Sequence, residues 1–312
     1  MAMRPVAFYA VSDSTHFIGL VALLNSLRLT GHEEPLLVAD CGLEEWQRRL
    51  LAPHAEVRPV PKGGLPHLRK GVLPLEESAD VMALMDADLI VLRSLLPLLD
   101  KAAEGRVVVF ADPVSHRFHS GWAELLDLPA VRRQPYVNSG LMILPGSVGR
   151  RFLEAFRERR SAVERHSTRL AGGRPSDPFY YADQDVVNAL LGSVVEAAEL
   201  EILDTGLAPH PPFAGVRLDH GADHPYVLHH IDRKPWLRAT PRNLYTDLLP
   251  RYTLAPDLPL RLEARQVPLR FRTGPLAALE RARVEAAARL HAQRGKVGLR
   301  RWFRERLAGD RA

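Results

Sequence analysis

The chain has 312 residues, 46% hydrophobic and 25% charged, an ordinary globular composition large enough for one α/β domain with appendages. Its single cysteine, Cys41, excludes an intramolecular disulfide and fits a reducing compartment, and no apolar run approaches the ~20 residues of a membrane span. The formal charge of +5 is unevenly placed: from Pro259 onward 14 Arg and Lys stand against 5 Asp and Glu, leaving 28 against 32 in the first 258 residues. A slightly acidic body (1–258) followed by a strongly basic tail (259–312) suggests an anionic partner for the tail.

The opening MAMRPVAFYAVSD reads as a first strand, Val6–Val11, rather than a signal peptide. Ser-Asp-Ser-Thr then offers N-cap chemistry, and Phe17–Leu29 has helical spacing with Leu20, Leu23, Leu24 and Leu27 on one face, stopping at Gly31. Pro35–Ala39 reads as a strand, Leu43–Leu51 as a helix, Val57–Val60 and Val81–Met85 as strands, Leu96–Ala103 as a helix and Val107–Ala111 as a strand. Strands alternating with helices predict a mainly parallel sheet, in which ligands bind beyond the carboxyl ends of the strands. Beyond residue 112 or so the pattern changes. Tyr136–Leu144 is strand-like, Ser147–His166 a long charged helix, Leu170–Tyr181 a Gly/Pro-rich loop, Asp183–Leu191 a helix, and Pro209–Tyr226 rich in Pro, Gly and His.

Within the apolar run ADVMALMDADLIVLRSL, two carboxylates, Asp86 and Asp88, flank Ala87. A buried carboxylate without a partner loses several kcal/mol of hydration, so such a pair needs a counter-charge. Two oxygen-rich side chains where the chain leaves a strand suit a hard divalent cation, Mg²⁺ or Mn²⁺, able to bridge diphosphate oxygens. The other reading is a strand end with solvated acids. Asn138 in VNSG presents an amide suited to sugar hydroxyls, Ser139 and Gly140 keep that turn small, and Asp183 and Gln184 open a helix whose first turn tolerates an acid.

Taken in order, AVSDSTHFIGLVALLNSLR, the Asp-x-Asp run, YVNSGLMIL, YYADQDVVNALL and VLHHIDRKPWL resemble the family 8 glycosyltransferases, the retaining group that includes glycogenin and bacterial lipooligosaccharide galactosyltransferases. The resemblance runs from Val6 to Trp236. It implies a GT-A fold, an α/β αβα sandwich with a mainly parallel sheet, whose nucleotide-binding part is about 1–112 and whose donor and acceptor part is about 113–258. It implies transfer of a hexose from a UDP-sugar to an acceptor hydroxyl with retention, using Mn²⁺ or Mg²⁺ held by Asp86, Asp88 and a histidine before Lys-Pro-Trp. His229 is preferred to His230 because Val227-Leu228-His229 matches the apolar lead-in. Donor contacts carry over to Val11, Ser12 and Asp13 at the base, to Arg69 with Lys70 beside it, to Ala87, to Asn138 and Ser139, and to Lys234. Asp183 and Gln184 would flank the reactive face of the sugar. Gln184 suits stabilising charge there, and Asp183 is the residue to suspect if a covalent route operates.

The resemblance is imperfect. Relatives carry a glycine between that histidine and the lysine, whereas this chain reads His229-His230-Ile231-Asp232-Arg233-Lys234; Arg233 and Lys234 could still bring positive charge to phosphates. A sugar-phosphate nucleotidyltransferase shares the architecture but needs a glycine-rich phosphate loop, which Val11–Phe17 lacks. A non-catalytic nucleotide-sugar-binding protein is the other alternative. Arg117–Trp122, Leu170–Tyr181 and Pro209–Tyr226 are candidate acceptor walls, the acceptor being a glycan, a lipid-linked sugar or a small molecule. The tail reads as a helix over Leu276–Gln293 with Leu276, Leu279, Ala286 and Leu290 along one side, then KVGLRRWFRERL, which interleaves basic with apolar and aromatic residues. That pattern suits an anionic membrane surface. The expected location is cytoplasmic, peripheral on the inner face of the cell membrane, with no nucleic acid as partner.

Overall fold

The structure, a computed structural model, describes residues 4–60, 65–114, 116–210, 224–231, 234–238, 240 and 242–287. In chain order the elements are β1 (Arg4–Ser12), α1 (Phe17–Leu29), β2 (Leu36–Asp40), α2 (Glu45–Leu51), β3 (Glu56–Pro59), α3 (Val72–Glu76), β4 (Ala79–Asp86), β5 (Leu89–Val91), α4 (Leu96–Ala103), β6 (Val107–Ala111) and α5 (Trp122–Leu125). They continue with β7 (Val137–Pro145), α6 (Gly146–Arg159), α7 (Asp183–Ser193), β8 (Leu200–Leu203), β9 (Val227–His229) and α8 (Leu244–Leu248), and a helix spans 275–287. No described helix is long and apolar enough to cross a membrane.

The central sheet has seven strands in the order β3-β2-β1-β4-β7-β6-β8. Its first four strands run parallel, β7 is antiparallel to both neighbours, and β8 is parallel to β6. Alternate residues of each strand feed two cores. Tyr9, Ala39, Leu84 and Met142 meet Phe152, Phe156, Val187 and Leu190 of α6 and α7 on one face. Phe8, Val38, Ala83 and Ile143 meet Leu20, Leu24 and Leu98 of α1 and α4 on the other. Helices on both faces of a mainly parallel sheet make the expected αβα sandwich. Because β1 and β4 pair in parallel with Val11 opposite Asp86, and Ser12 lies opposite Asp40, the ends of three neighbouring strands open at one edge.

One sequence expectation changes in detail. The helix expected over Ser147–His166 is α-helical only to Arg159 and tightens into 3₁₀ turns over Arg160–Arg165, where Arg159 and Arg160 turn to the carbonyls of Leu126 and Leu68. The sequence also gave no sign of the two-stranded ribbon of β5 and β9, which pair antiparallel with Leu89 opposite His229.

Packing continues past the change of charge at Pro259. Leu260, Leu262 and Val267 join the α1-side core, and buried Asn25 donates to the Tyr252 and Leu260 carbonyls while accepting from the Leu260 N–H. In the helix at 275–287, Ala277 and Val284 are buried whereas Leu276 and Leu279 are 69% and 68% exposed. The apolar side expected there therefore faces outward. Leu290 and KVGLRRWFRERL lie outside the described residues.

Gly19 fixes how closely α1 approaches the Asp-x-Asp turn. A Cβ there would sit 2.4 Å from the Ala87 carbonyl oxygen and 2.5 Å from the Trp236 ring. Gly19→Val is accordingly expected to destabilise the fold by about 3 kcal/mol through overpacking, lowering the thermal midpoint by roughly 5–10 °C. An unchanged midpoint in a calorimetric scan would show that α1 can shift without cost.

Candidate active site

The end of β4 and the start of β9 bring Asp86, Asp88 and His229 together, with one ligand atom of each within 4.8 Å of the others. His229 Nε2 lies 3.2 Å from Asp88 Oδ1 and 3.6 Å from Asp86 Oδ2. The rest of the network assigns its tautomer. Asn138 donates its Nδ2 to Asp112 Oδ2 (3.1 Å) and Gln184 Oε1 (3.0 Å), so its Oδ1 is an acceptor. That oxygen takes the Gly140 N–H at 2.8 Å and lies 2.9 Å from His229 Nδ1, which therefore carries the proton. Nε2 faces two carboxylates, an arrangement that needs positive charge there, either a bound cation or a second proton on the ring. A Cβ on Gly140 would fall 2.2 Å from His229 Cε1, so only glycine lets the ring lie there.

The donor set of two carboxylates and one imidazole fits Mn²⁺ or Mg²⁺. Among the described residues, Asp86, Asp88, Asp112 and Asp183 stand around it against two ammonium groups, Lys70 and Lys234, an excess of negative charge that a divalent ion would offset. Asp88 is nearly buried; burial pushes its carboxyl up, but Lys234 and His229 outweigh this and hold it well below the usual carboxylate range. His230, the alternative ligand, is buried against Tyr245 with neither ring nitrogen hydrogen-bonded, and burial lowers it to about 4. It does not join the cluster.

Lys234 binds Asp88 and donates to the His230 carbonyl at 2.9 Å. The segment it begins is pinned from two sides, by Trp236 Nε1 on the Thr15 carbonyl (2.7 Å) and by Arg270 Nε on the Pro235 carbonyl (3.0 Å). Lys70, next to Arg69 in sequence, is turned away from solvent. It is 8% exposed and bridges Asp86 Oδ1 (2.8 Å) and Asp183 Oδ2 (3.1 Å) while donating to the Ser139 carbonyl (3.1 Å). Burial would lower its ammonium, but Asp183 and Asp86 raise it above the ordinary lysine value. Arg69 ends the 3₁₀ turn Pro66–Arg69 just before it.

On the far side of the cluster Gln184 is locked: Oε1 accepts from Asn138 Nδ2 and from the Ser139 N–H (3.3 Å), and Nε2 donates to Asp112 Oδ2 (3.2 Å). Asp183 accepts from Ser139 Oγ at 3.3 Å. The residue before it, Ala182, has φ +54°, a costly backbone for alanine, and such strain tends to collect at functional sites. Asp13 makes a tight turn between β1 and α1: its Oδ1 accepts from the Thr15 N–H and hydroxyl, the His16 N–H and the His16 ring, and these bonds pull the carboxyl down despite burial. Val11 and Ser12 end β1 beside it, and Ala87 sits under Gly19.

Sequence reading missed Asp112, which joins Asn138 and Gln184; its signal was a position just past β6, matching that of Asp13 past β1. It also placed Arg117 on an acceptor wall. Arg117 instead turns inward, with Nε 2.6 Å from Asp185 Oδ1 and Nη2 2.8 Å from Oδ2. Asp185 is fully buried, takes Tyr136 Oη and the Tyr181 N–H as well, and is raised because burial outweighs Arg117. Trp122, at the end of that expected wall, is core. Of Pro209–Tyr226, residues 211–223 lie outside the described residues.

Asn138→Leu removes the acceptor that fixes the His229 tautomer. Mn²⁺ affinity is expected to fall about 10–100-fold, the usual effect of losing such an orienting partner; calorimetric Mn²⁺ titration reads it, and unchanged affinity would refute the assignment.

No family model and no curated protein matches the sequence. Solved structures do match in three dimensions. The galactosyltransferase LgtC, in complex with donor and acceptor sugar analogs, superposes with TM-score 0.53 at 18% identity over 80% of this chain and 98% of its own. The bifunctional glycosyltransferase WbbM gives 0.53 at 13% over 83% of this chain, which spans only 50% of WbbM. Glycosyltransferase GlyE from Streptococcus pneumoniae TIGR4 gives 0.52 at 14% over 80% of this chain and 60% of its own. The chain shares the GT-A fold of these proteins.

Proposed function

We propose that the protein is a metal-dependent glycosyltransferase that moves a hexose from a UDP-sugar to an acceptor hydroxyl with retention of anomeric configuration. The observation that carries this reading is the convergence of Asp86, Asp88 and His229 Nε2 at the carboxyl edge of the sheet, beside Lys234. The fold likeness to LgtC, WbbM and GlyE and the order of the sequence motifs support it.

Asp86, Asp88 and His229 would hold a Mn²⁺ or Mg²⁺, which would supply Lewis-acid charge to stabilise the departing diphosphate. Lys234 brings an ammonium to the same phosphates. Asp183, held by Lys70 and Ser139, and Gln184, held by Asn138, Ser139 and Asp112, fix a rigid polar wall for the sugar. Preformed dipoles of this kind stabilise developing positive charge on the anomeric carbon without reorganising. The acceptor hydroxyl attacks from the face the diphosphate leaves. Asp183 Oδ2 is shared between Lys70 and Ser139, which supports its part in that wall, and Asp183 is the residue to suspect if a covalent route operates.

The nucleotidyltransferase alternative loses ground at the β1–α1 turn, where Asp13 takes the Thr15 and His16 N–H groups that a phosphate loop would offer. UDP release from UDP-sugars, with and without Mn²⁺, separates transfer from nucleotidyl transfer and from simple binding. UDP is expected to bind more tightly than GDP or CDP in Mn²⁺, and tighter GDP binding in calorimetry would overturn the donor. Proton NMR of the first product should show an α-linkage from an α-linked donor; a β-linkage means inversion. The basic tail we assign to an anionic membrane surface. Liposome co-sedimentation of the full chain against a truncation after residue 287, which spares Leu260 and Leu262, tests that assignment, and equal binding of both would remove the tail as anchor.

A further inference from the structure

A cavity of about 700 Å³ opens between α8, the turn at Leu269–Phe271 and the helix at 275–287, and shares no lining residue with the candidate active site. Among the described residues its charged lining is four arginines, Arg242, Arg270, Arg272 and Arg281, and two carboxylates, Asp247 and Glu285. Arg242 is committed to Asp247, with Nε 2.7 Å from Oδ1, and its backbone N–H reaches Glu285 Oε2 at 3.3 Å. The other three bond to backbone carbonyls: Arg270 Nε to Pro235 (3.0 Å), Arg272 Nε to Val267 (3.0 Å), and Arg281 Nη1 to Arg270 (3.0 Å) and Arg272 (2.9 Å). Among the described residues none of these three forms an ion pair. Glu280, the acid that acts on Arg270, is itself paired with Arg283 (Nε 2.7 Å from Oε2). Burial lowers the Arg270 guanidinium, a cost that a bound anion would offset.

Carbonyl bonds to one edge of each guanidinium orient the fork and leave its remaining N–H groups for a ligand, and that fork matches phosphate oxygens. Among the described lining residues, four guanidinium groups stand against two carboxylates, an excess of positive charge that suits a phosphomonoester dianion. Phe271 and Val284 add apolar wall for an organic body, and the volume is in the range of small-molecule sites. We propose that this cavity is a second ligand site, which binds a phosphomonoester dianion independently of glycosyl transfer.

The test is calorimetric titration of the full chain with glycerol phosphate in metal-free buffer, together with co-sedimentation on phosphatidylcholine vesicles with and without phosphatidic acid. Saturable binding is expected to weaken about tenfold in Arg281→Gln, on an exposed side chain, and about 10–100-fold in the Arg272→Gln/Arg281→Gln pair, as charge-assisted contacts are lost. Lys234→Ala should bind as the native chain does. Glycerol phosphate binding that weakens in the pair assigns a soluble phosphate. Phosphatidic-acid-dependent sedimentation that weakens in the pair assigns a lipid headgroup. No saturable binding of either probe, binding unchanged in the pair for both probes, or binding lost in Lys234→Ala would each overturn the proposal.

Discussion

Asp88→Asn is expected to lower transfer from a UDP-sugar by about 10³-fold or more while leaving the protein folded, because it removes a metal ligand and the carboxylate paired with Lys234 at once. Asparagine is the sharper probe than alanine here. Asp88 is 4% exposed, and asparagine keeps its volume, so a lost activity cannot be put down to a cavity. Mn²⁺ binding and the thermal midpoint are measured on the same preparation. Full activity of the variant in EDTA would end the metal hypothesis. The same residue sets an acid limit. Its carboxyl is depressed in the folded protein by Lys234 and His229, so the stability it contributes is present above its unfolded value of about 4 and is lost as pH falls below that. Urea denaturation below about pH 4 should therefore show a loss of stability that Asp88→Asn shares only in part.

Residues with local signatures were legible in the sequence. The strand–helix alternation of the first hundred residues follows from hydrophobic period and capping residues, and the structure returns β1, α1, β2, α2, β3, β4, α4 and β6 close to their expected bounds. Asp86 and Asp88 were visible because charge inside an apolar run demands a partner, and His229 because it precedes Lys-Pro-Trp. Residues whose meaning lies in distant partners were not legible. Lys70 reads as one of two adjacent bases, yet its partners Asp183 and Ser139 come from α7 and β7. Arg117 sits among glycine, histidine and aromatics in a stretch that looks like a variable loop, yet it meets Asp185 inside. Asp112 carries no motif at all. The ribbon of β5 and β9 consists of three-residue strands, too short for a period to show.

Lys70→Met should expose how strongly the site is built around opposed charges. The ammonium touches Asp86, Asp183 and Ser139 in a nearly dry place. Removing one partner of a buried ion pair leaves uncompensated charge, so the variant is expected to lose about 3–5 kcal/mol at neutral pH. The lysine is raised above its unfolded value of about 10.4 in the folded protein, so its contribution is fully present below that pH and is lost only as pH rises through the higher folded value. The deficit should thus be constant from pH 6 to about 10 and shrink only in strong alkali. Mn²⁺ gives the discriminating readout. A divalent ion at Asp86 supplies part of the charge that Lys70 provided, so saturating Mn²⁺ should raise the thermal midpoint of Lys70→Met by more than it raises that of the native chain. Merely lost packing would leave the two increments equal. Equal increments together with native stability of the variant would show that Asp86 and Asp183 do not depend on Lys70. Transfer should fall in the variant even with Mn²⁺ restored, because Asp183 then loses the bridge that holds it beside Ser139, and the polar wall for the sugar loses its fixed geometry.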